Sequence, residues 1–310
     1  MIKMSNLREA YGKELVALGR KEERIVVLDA DLRGSTMSCY FAKEFPERFF
    51  EMGIAEQNMI STAAGLSLVG KIPFVNTFAV FATGRPYDQI RQGVALPKLN
   101  VKIVGSSCGL SDYGDGATHQ SVEDIATMRS IPNMVIISPV DAVEMKKVVR
   151  AVVEYQGPVY IRINRNDLPI LTDEDESFKI GKINKIADGK DITVFATGFM
   201  VYQALQARAI LQDKGISVRV INVSTIKPID VDKVKEYAKD VKGVITAEEH
   251  TIIGGLGGAI CEVLSDELVK IKRVGIDDKF GQSASNYEEL INYYGLTPQA
   301  IIEKAEELLN

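Results

Sequence analysis

Glu56 and His119, with the residues around them, hold most of the chemistry this sequence can offer. His119 and His250 are the only histidines in 310 residues, so a multi-histidine metal site is excluded. His119 lies in Gly114-Asp115-Gly116-Ala117-Thr118-His119-Gln120, where a carboxylate and an imidazole share a glycine-rich loop. That loop follows an apolar run ending at Val104-Gly105. Loops at the carboxyl ends of parallel strands are where α/β sheets bind ligands. A turn with an incidental histidine is the plain alternative. Glu56 opens a helical stretch running to Val69, with Met59, Ile60, Ala63 and Leu66 on one face. A carboxylate in a first helical turn is ordinarily a partner of the helix dipole. The small residues beside it also permit close packing, and a buried carboxyl can hold a proton to donate.

Three further groups are candidates. Phe78 and Phe81, in Thr77-Phe78-Ala79-Val80-Phe81, follow an apolar run and serve either as core or as a face for a flat heterocycle. Arg162 and Arg165 follow the last strand of the first half, where two guanidinium forks could grip a phosphate. A surface pair of Arg165 with Asp167 is the alternative. Gly254-Gly255-Leu256-Gly257-Gly258 precedes a helix, but it has no lysine and no complete fingerprint. It reads as close helix–strand packing before it reads as an anion cradle.

The elements that must position these residues alternate in type. Ile25-Val26-Val27-Leu28, Phe74-Val75, Val101-Lys102-Ile103-Val104, Met134-Val135-Ile136-Ile137 and Pro158-Val159-Tyr160-Ile161 read as buried strands. Leu7, Tyr11, Leu15 and Leu18 mark an opening helix. Asp141 and Glu144 form a capping pair ahead of the stripe Met145, Val148, Val149, Val152 and Val153. An acidic stretch begins at Leu171-Thr172-Asp173-Glu174-Asp175-Glu176-Ser177. A second series of strands follows at Ile192 to Phe195, Ser217 to Ile221, Val244 to Thr246 and Ile271 to Val274. Its helices include Ala259 to Leu268 and a final one with Thr297 as cap and Pro298 at the first position. The expected fold class is α/β, with two domains that are each a mostly parallel sheet with helices on both faces. We place a first domain at 1–170, a linker at 171–190 and a second domain at 191–310.

Composition sets the outer limits. Hydrophobic residues make up 46% and charged residues 25%, ordinary values for a chain with buried cores. The net charge of -5, with no basic tract, argues against nucleic acid as a partner. No run approaches the ~18 apolar residues of a membrane helix. The start, Met1-Ile2-Lys3-Met4-Ser5-Asn6, is not an apolar signal region. A cytoplasmic protein is expected. Cys39, Cys108 and Cys261 are odd in number and far apart, which fits reduced thiols.

With these residues placed, the chain resembles transketolase along its full length, over the pyrimidine-binding and C-terminal domains. The resemblance rests on Gly53-Ile54-Ala55-Glu56-Gln57-Asn58, Thr77-Phe78 with Tyr87-Asp88-Gln89-Ile90-Arg91, Asp115-Gly116-Ala117-Thr118-His119-Gln120, and Asn164-Arg165-Asn166-Asp167-Leu168-Pro169. It implies thiamine diphosphate as cofactor and transfer of a two-carbon ketol unit between phosphorylated sugars, as in the pentose phosphate pathway. Glu56 matches the glutamate that hydrogen-bonds N1′ of the aminopyrimidine and favours the tautomer that removes the thiazolium proton, giving the reactive ylid. Phe78 and Phe81 match the aromatic pocket around the pyrimidine. Asp115 and His119 match residues that contact sugar hydroxyls, and catalytic roles fall on Glu56 and His119. Arg8, Ser35 and Arg165 match groups that bind the sugar phosphate, where fork geometry suits the oxyanion.

Single-chain transketolases carry an N-terminal diphosphate-binding domain that supplies the metal ligands, and only a few residues precede Arg8 here. The resemblance therefore implies the C-terminal subunit of a split transketolase. A separate N-terminal subunit would hold Mg2+ or Ca2+, in an α2β2 heterotetramer. Gly114-Asp115-Gly116 opens a thiamine-diphosphate metal motif, but the asparagine it needs is missing around Asp141 and Glu144, so no metal ligand is expected in this chain. Two departures stand out. Ser107 replaces a histidine found near the substrate in many transketolases, and Ala82-Thr83-Gly84-Arg85-Pro86 replaces a more aromatic segment. The rival activities are those of a deoxyxylulose-phosphate-synthase-like chain and of a 2-oxoacid dehydrogenase β subunit. A non-catalytic regulatory module with the same fold is the rival from another class. The Asp115-to-His119 stretch favours sugar chemistry over the dehydrogenase, and Glu56 and His119 together argue against the module. The second domain, with His250, is expected to support an interface.

Overall fold

In the computed structural model, residues 3–310 are described. The strands are β1 (Met4–Asn6), β2 (Ile25–Asp29), β3 (Phe49–Glu51), β4 (Ile72–Phe78), β5 (Lys102–Ser106), β6 (Val135–Ile137) and β7 (Val159–Ile163). They continue with β8 (Asp167–Pro169), β9 (Asn184–Ala187), β10 (Ile192–Ala196), β11 (Val218–Asn222), β12 (Thr225–Lys227), β13 (Gly243–Thr251) and β14 (Ile271–Ile276). Every residue of β2, β4, β5, β6 and β7 is buried. Strands covered on both faces show continuous apolar runs in place of alternation, which is the signature of a parallel sheet under two helical layers.

The larger sheet has the order β12-β6-β7-β5-β4-β2-β3. All its pairs are parallel except β12 with β6. The smaller sheet has the order β14-β13-β10-β11-β9 and is parallel except at β9. Two connections cross the expected divisions. β12, from the second half of the chain, closes the edge of the first sheet by pairing Thr225 with Ile137. β9 lies within 171–190 and joins the second sheet. A third pairing, β1 with β8, sets Asn6 opposite Asp167 and brings the start of the first helix beside the segment after β7.

Helix ends follow their caps. Asn6 accepts from Arg8 and Glu9 N–H at the start of helix Leu7–Gly19, whose Leu7, Tyr11 and Leu15 are buried while Leu18 is half-buried. Asp141 caps Ala142–Glu154, and Glu144 reaches back to Val140 N–H at 2.7 Å. Thr297 caps Pro298–Leu309. The helix expected from Ala259 starts earlier, at Leu256, and ends at Val263. The acceptor at its start is the protein's own: the Glu248 carboxyl accepts from Leu256 N–H (2.6 Å) and Gly257 N–H (2.8 Å). Among the described residues, no helix is long and apolar enough to cross a membrane.

Candidate active site

Glu56 is the first residue of helix Glu56–Leu68 and is 4% exposed. Burial there follows from the neighbours, since Met59, Ile60, Ala63 and Ala64 pack the same helix onto the core. Glu56 keeps its place at the positive end of the helix dipole, but it does so out of solvent. Its partner is Arg85, whose Nη1 donates to Glu56 Oε1 at 2.7 Å. The Arg85 guanidinium also stands 4.2 Å from the centroid of the Phe81 ring. Phe78 ends β4, and Phe81 follows in the short helix Ala79–Thr83. Their rings stack with centroids 6.1 Å apart and planes 16° apart. The His119 imidazole meets both edge-on, at 5.3 Å from Phe81 and 6.2 Å from Phe78. Glu56, Arg85, Phe81, Phe78 and His119 thus form one row.

Arg8, Ser35 and Arg165 form a second group, through the β1–β8 pairing. Asn6 Nδ2 donates to Arg165 O (3.2 Å) and to Asp167 Oδ1 (2.9 Å), so Asp167 is not the partner of Arg165. Arg165 Nη1 donates to Asp112 Oδ1 at 2.7 Å. Arg8 Nη1 donates to the carbonyl of Ser35 at 2.8 Å. Burial first, and then the like charge of Arg165, push Arg8 below the ordinary arginine pKa. The turn carrying Ser35 is tied to Asp29, which accepts from Leu32 N–H, Thr36 Oγ1 and Ser38 Oγ. Burial raises Asp29 to about 6 against those bonds. Arg162 is not in this group. It is buried, pairs with Asp124 at 2.8 Å and donates to Glu249 O at 2.6 Å.

The loop that joins the two groups is held from the second half of the chain. Leu110 N–H donates to Glu249 Oε1 (2.7 Å), Gln120 Nε2 to Gln282 O (3.0 Å), and Ala284 N–H to Tyr113 O (2.9 Å). Asp115 is exposed on this loop beside Asp112, whose carboxyl is raised chiefly by burial, with Asp115 adding to the rise. His119 is exposed in part at the loop's end, and its Nδ1 lies 2.9 Å from Thr118 Oγ1. His250 belongs to the support. It is fully buried, its Nδ1 lies 2.6 Å from Thr251 O, and its Nε2 accepts from Ala126 N–H at 3.3 Å. Burial lowers it to about 4, so it is a neutral imidazole carrying its proton on Nδ1.

The row fits a flat, hydrogen-bonding ring. A guanidinium, itself planar and rich in N–H donors, lies on the Phe81 face and donates to Glu56. An aminopyrimidine would ask for the same stacking face and for a carboxyl at its edge able to hold a proton toward the ring nitrogen. Thr77 Oγ1, Ser106 Oγ and Ser107 Oγ, at the carboxyl ends of β4 and β5, are buried without protein partners. Ser107 has φ +54, a left-handed backbone at the place of the expected histidine. Among the described residues, no group of three or more His, Cys, Asp or Glu is placed to hold a metal ion. No motif in the sequence alone marks Arg85, Asp112 and Asp29 as residues of this site. An aspartate three positions before Asp115 and an arginine four after Phe81 were the available signals.

The chain is similar to known proteins over both of its halves. The transketolase pyrimidine-binding domain matches residues 3–170, and the transketolase C-terminal domain matches 181–301. A protein of Methanocaldococcus jannaschii, provisionally named a transketolase C-terminal section, is 50% identical over 99% of this chain and 98% of its own length. An apulose-4-phosphate transketolase subunit of Phocaeicola vulgatus is 39% identical, over 97% of each chain. A 6-deoxy-6-sulfo-D-fructose transketolase subunit of a Clostridium species is 40% identical over 97% of this chain and 94% of its own. Among solved structures, a split-gene transketolase described as an inactive β4 tetramer superposes with a TM-score of 0.89 at 46% identity, over 98% of both chains.

Proposed function

The chain belongs to the transketolase family, and from that premise we propose that it is the C-terminal subunit of a split transketolase. In this reading it moves a two-carbon ketol unit between phosphorylated sugars, in the cytoplasm, together with a separate N-terminal subunit in an α2β2 complex. One observation supports the reading: the buried Glu56 carboxyl and the Phe81 face converge on one planar group, Arg85, and a flat aminopyrimidine would need the same face with a carboxyl at its edge. Relatives of nearly full matching length are themselves named as transketolase subunits, which supports a separate partner.

Thiamine diphosphate, when bound, supplies the nucleophilic carbon and the electron sink that ketol transfer needs. Glu56, kept out of water by helix Glu56–Leu68, would hold a proton toward the ring nitrogen N1′ of the pyrimidine. Phe81, with Phe78 behind it, provides the stacking face. His119, edge-on to both rings, holds a donor or acceptor toward the sugar hydroxyls, with Asp115 on the same loop. Arg8 and Arg165 hold the terminal phosphate, and Ser35 holds Arg8 in place through its carbonyl. Arg85 must leave the ring face when the pyrimidine arrives. The Mg2+ or Ca2+ that anchors the diphosphate belongs to the partner in this reading.

A second reading has one observation behind it. The 1-deoxy-D-xylulose-5-phosphate synthase of Dictyoglomus thermophilum is 38% identical over 99% of this chain, although this chain spans only 50% of that enzyme. Coupled assays of the reconstituted complex decide between the two. Xylulose 5-phosphate plus ribose 5-phosphate should turn over, and pyruvate plus glyceraldehyde 3-phosphate should not. Activity of the purified chain alone would refute the split-subunit reading.

A further inference from the structure

Asp112 sits where the terminal anion of a substrate would compete. It is 2% exposed, its Oδ1 accepts from Arg165 Nη1 at 2.7 Å, and its Oδ2 is buried without a protein partner. Arg8 Nε, in the same cradle, is also buried without a partner. Two other buried aspartates are saturated, whereas Asp230 Oδ2 also lacks a hydrogen-bond partner and has Lys182 Nζ at 3.2 Å beside it, which Asp112 Oδ2 does not. Asp29 accepts from Leu32, Thr36 and Ser38, and Asp141 accepts from Val143, Glu144, Leu171 and Thr172. A buried carboxylate with an idle oxygen is costly, so ordinary structural support is a poor account of Asp112. A structural role would also not require its one donor to be the arginine that faces the cradle.

We propose that Asp112 determines the specificity of this anion cradle: its carboxylate occupies Arg165 as an internal surrogate for the substrate's terminal anion, and so limits how tightly a phosphorylated sugar is held. The proposal rests on the reading that Arg8 and Arg165 bind that terminal group. Arg8, Arg165 and Asp112 together carry one net positive charge, where two arginines alone would carry two. A guanidinium that gives one Nη to a carboxylate has that donor committed and offers an incoming oxyanion an incomplete fork. The incoming charge must also approach Asp112 and its neighbour Asp115. That repulsion grows with the charge of the terminal group, so Asp112 weighs most heavily against a dianion.

The test uses the reconstituted complex with Asp112→Asn, which keeps the shape and removes the charge. Asp112→Ser serves as a second variant if Asn lowers the yield of folded protein. Inorganic sulfate, a dianion over the whole working pH range, is the competitive probe. Removing the charge should lower the inhibition constant for sulfate by about tenfold. It should lower the KM of a phosphorylated acceptor relative to that of an unphosphorylated aldose by a similar factor. Arg165→Ala, run alongside, should raise both. If Arg165→Ala raises both while neither Asp112 variant lowers them, the surrogate role is wrong and the cradle stands. If Arg165→Ala changes neither, the cradle itself is wrong and the role of Asp112 falls with it.

Discussion

Arg85 Nη1 lies 2.7 Å from Glu56 Oε1, and the same guanidinium covers the Phe81 ring at 4.2 Å. One side chain therefore satisfies the buried carboxylate and occupies the aromatic face together. Arg85 is about half exposed and free to swing outward, whereas Glu56 is fixed by its helix. Replacing Arg85 with alanine should act in two opposite directions. The chain without cofactor should lose stability, by about 1–3 kcal/mol, because a buried acceptor is left unpaired. Thiamine diphosphate should bind the reconstituted complex several-fold more tightly, because nothing need be displaced. Thermal melts of the isolated chain and calorimetric titration of the complex measure the two. A weaker cofactor affinity would show that Arg85 helps to hold the cofactor.

Glu56→Gln keeps the size of the side chain and its place at the helix start. It loses the charge that pairs with Arg85 and the acidic proton that would go to the pyrimidine nitrogen. Turnover in the reconstituted complex should fall by about a hundredfold or more, the usual scale for a lost proton-transfer partner. Folding should survive, since an amide can still accept from Arg85. Activity near the wild-type level would remove Glu56 from the chemistry.

Much of the architecture was readable because burial on both faces leaves continuous apolar runs, as at Ile25-Val26-Val27-Leu28 and Val135-Ile136-Ile137. Glu56, Phe78, Phe81 and His119 stood out because each is a chemically distinctive type beside small residues or glycines. What escaped was pairing at long range. β12 joins the first sheet across 88 positions, from Thr225 to Ile137, and three residues are too few to show a period. Arg165 and Asp112 are 53 residues apart, and an aspartate in Ser111-Asp112-Tyr113-Gly114 has the composition of any turn. Arg162 had been grouped with Arg165 by spacing alone. Arg162 lies within β7 while Arg165 lies in the bend beyond its end, and Asp124 and Glu249 O claim Arg162 in the core.

Gly109 connects the second domain to the His119 loop. Its φ is +59, and an added methyl group would run into the Glu249 carboxylate, which accepts from Leu110 N–H. Gly109→Ala should destabilise the chain by about 2–3 kcal/mol, from left-handed strain and the displaced Glu249. It should also lower kcat/KM of the complex, because the loop carrying Asp112, Asp115 and His119 loses its anchor. Gly65→Ala is the contrast. Gly65 lies within helix Glu56–Leu68 with open space at its Cβ position. Alanine there should stabilise the isolated chain by up to about 1 kcal/mol. Equal effects at the two positions would show that Glu249 does not brace the loop.

His250 provides a pH test of the domain junction. Burial lowers its folded pKa to about 4 from an ordinary 6.5, with its Nδ1 proton on Thr251 O and its Nε2 lone pair on Ala126 N–H. Below pH 6.5 the unfolded chain gains a proton that the folded chain refuses, so this residue's contribution to stability is lost as pH falls from 6.5 toward 4. Over that window the loss amounts to about 3 kcal/mol. Glu144, Glu248 and Glu249, each raised to about 7 by burial, work the other way. They remain protonated in the fold while the unfolded chain ionises, so the stability they add at low pH is lost as pH rises through 7. The net profile mixes the two, and the comparison with His250→Gln isolates the imidazole. Glutamine can accept from Ala126 N–H at any pH. The stability gap between wild type and His250→Gln, from urea unfolding at about pH 7 and about pH 5, should move against wild type on acidification. A gap that stays constant across that range would mean that His250 is already charged in the fold, and the neutral junction between the two domains would have to be abandoned.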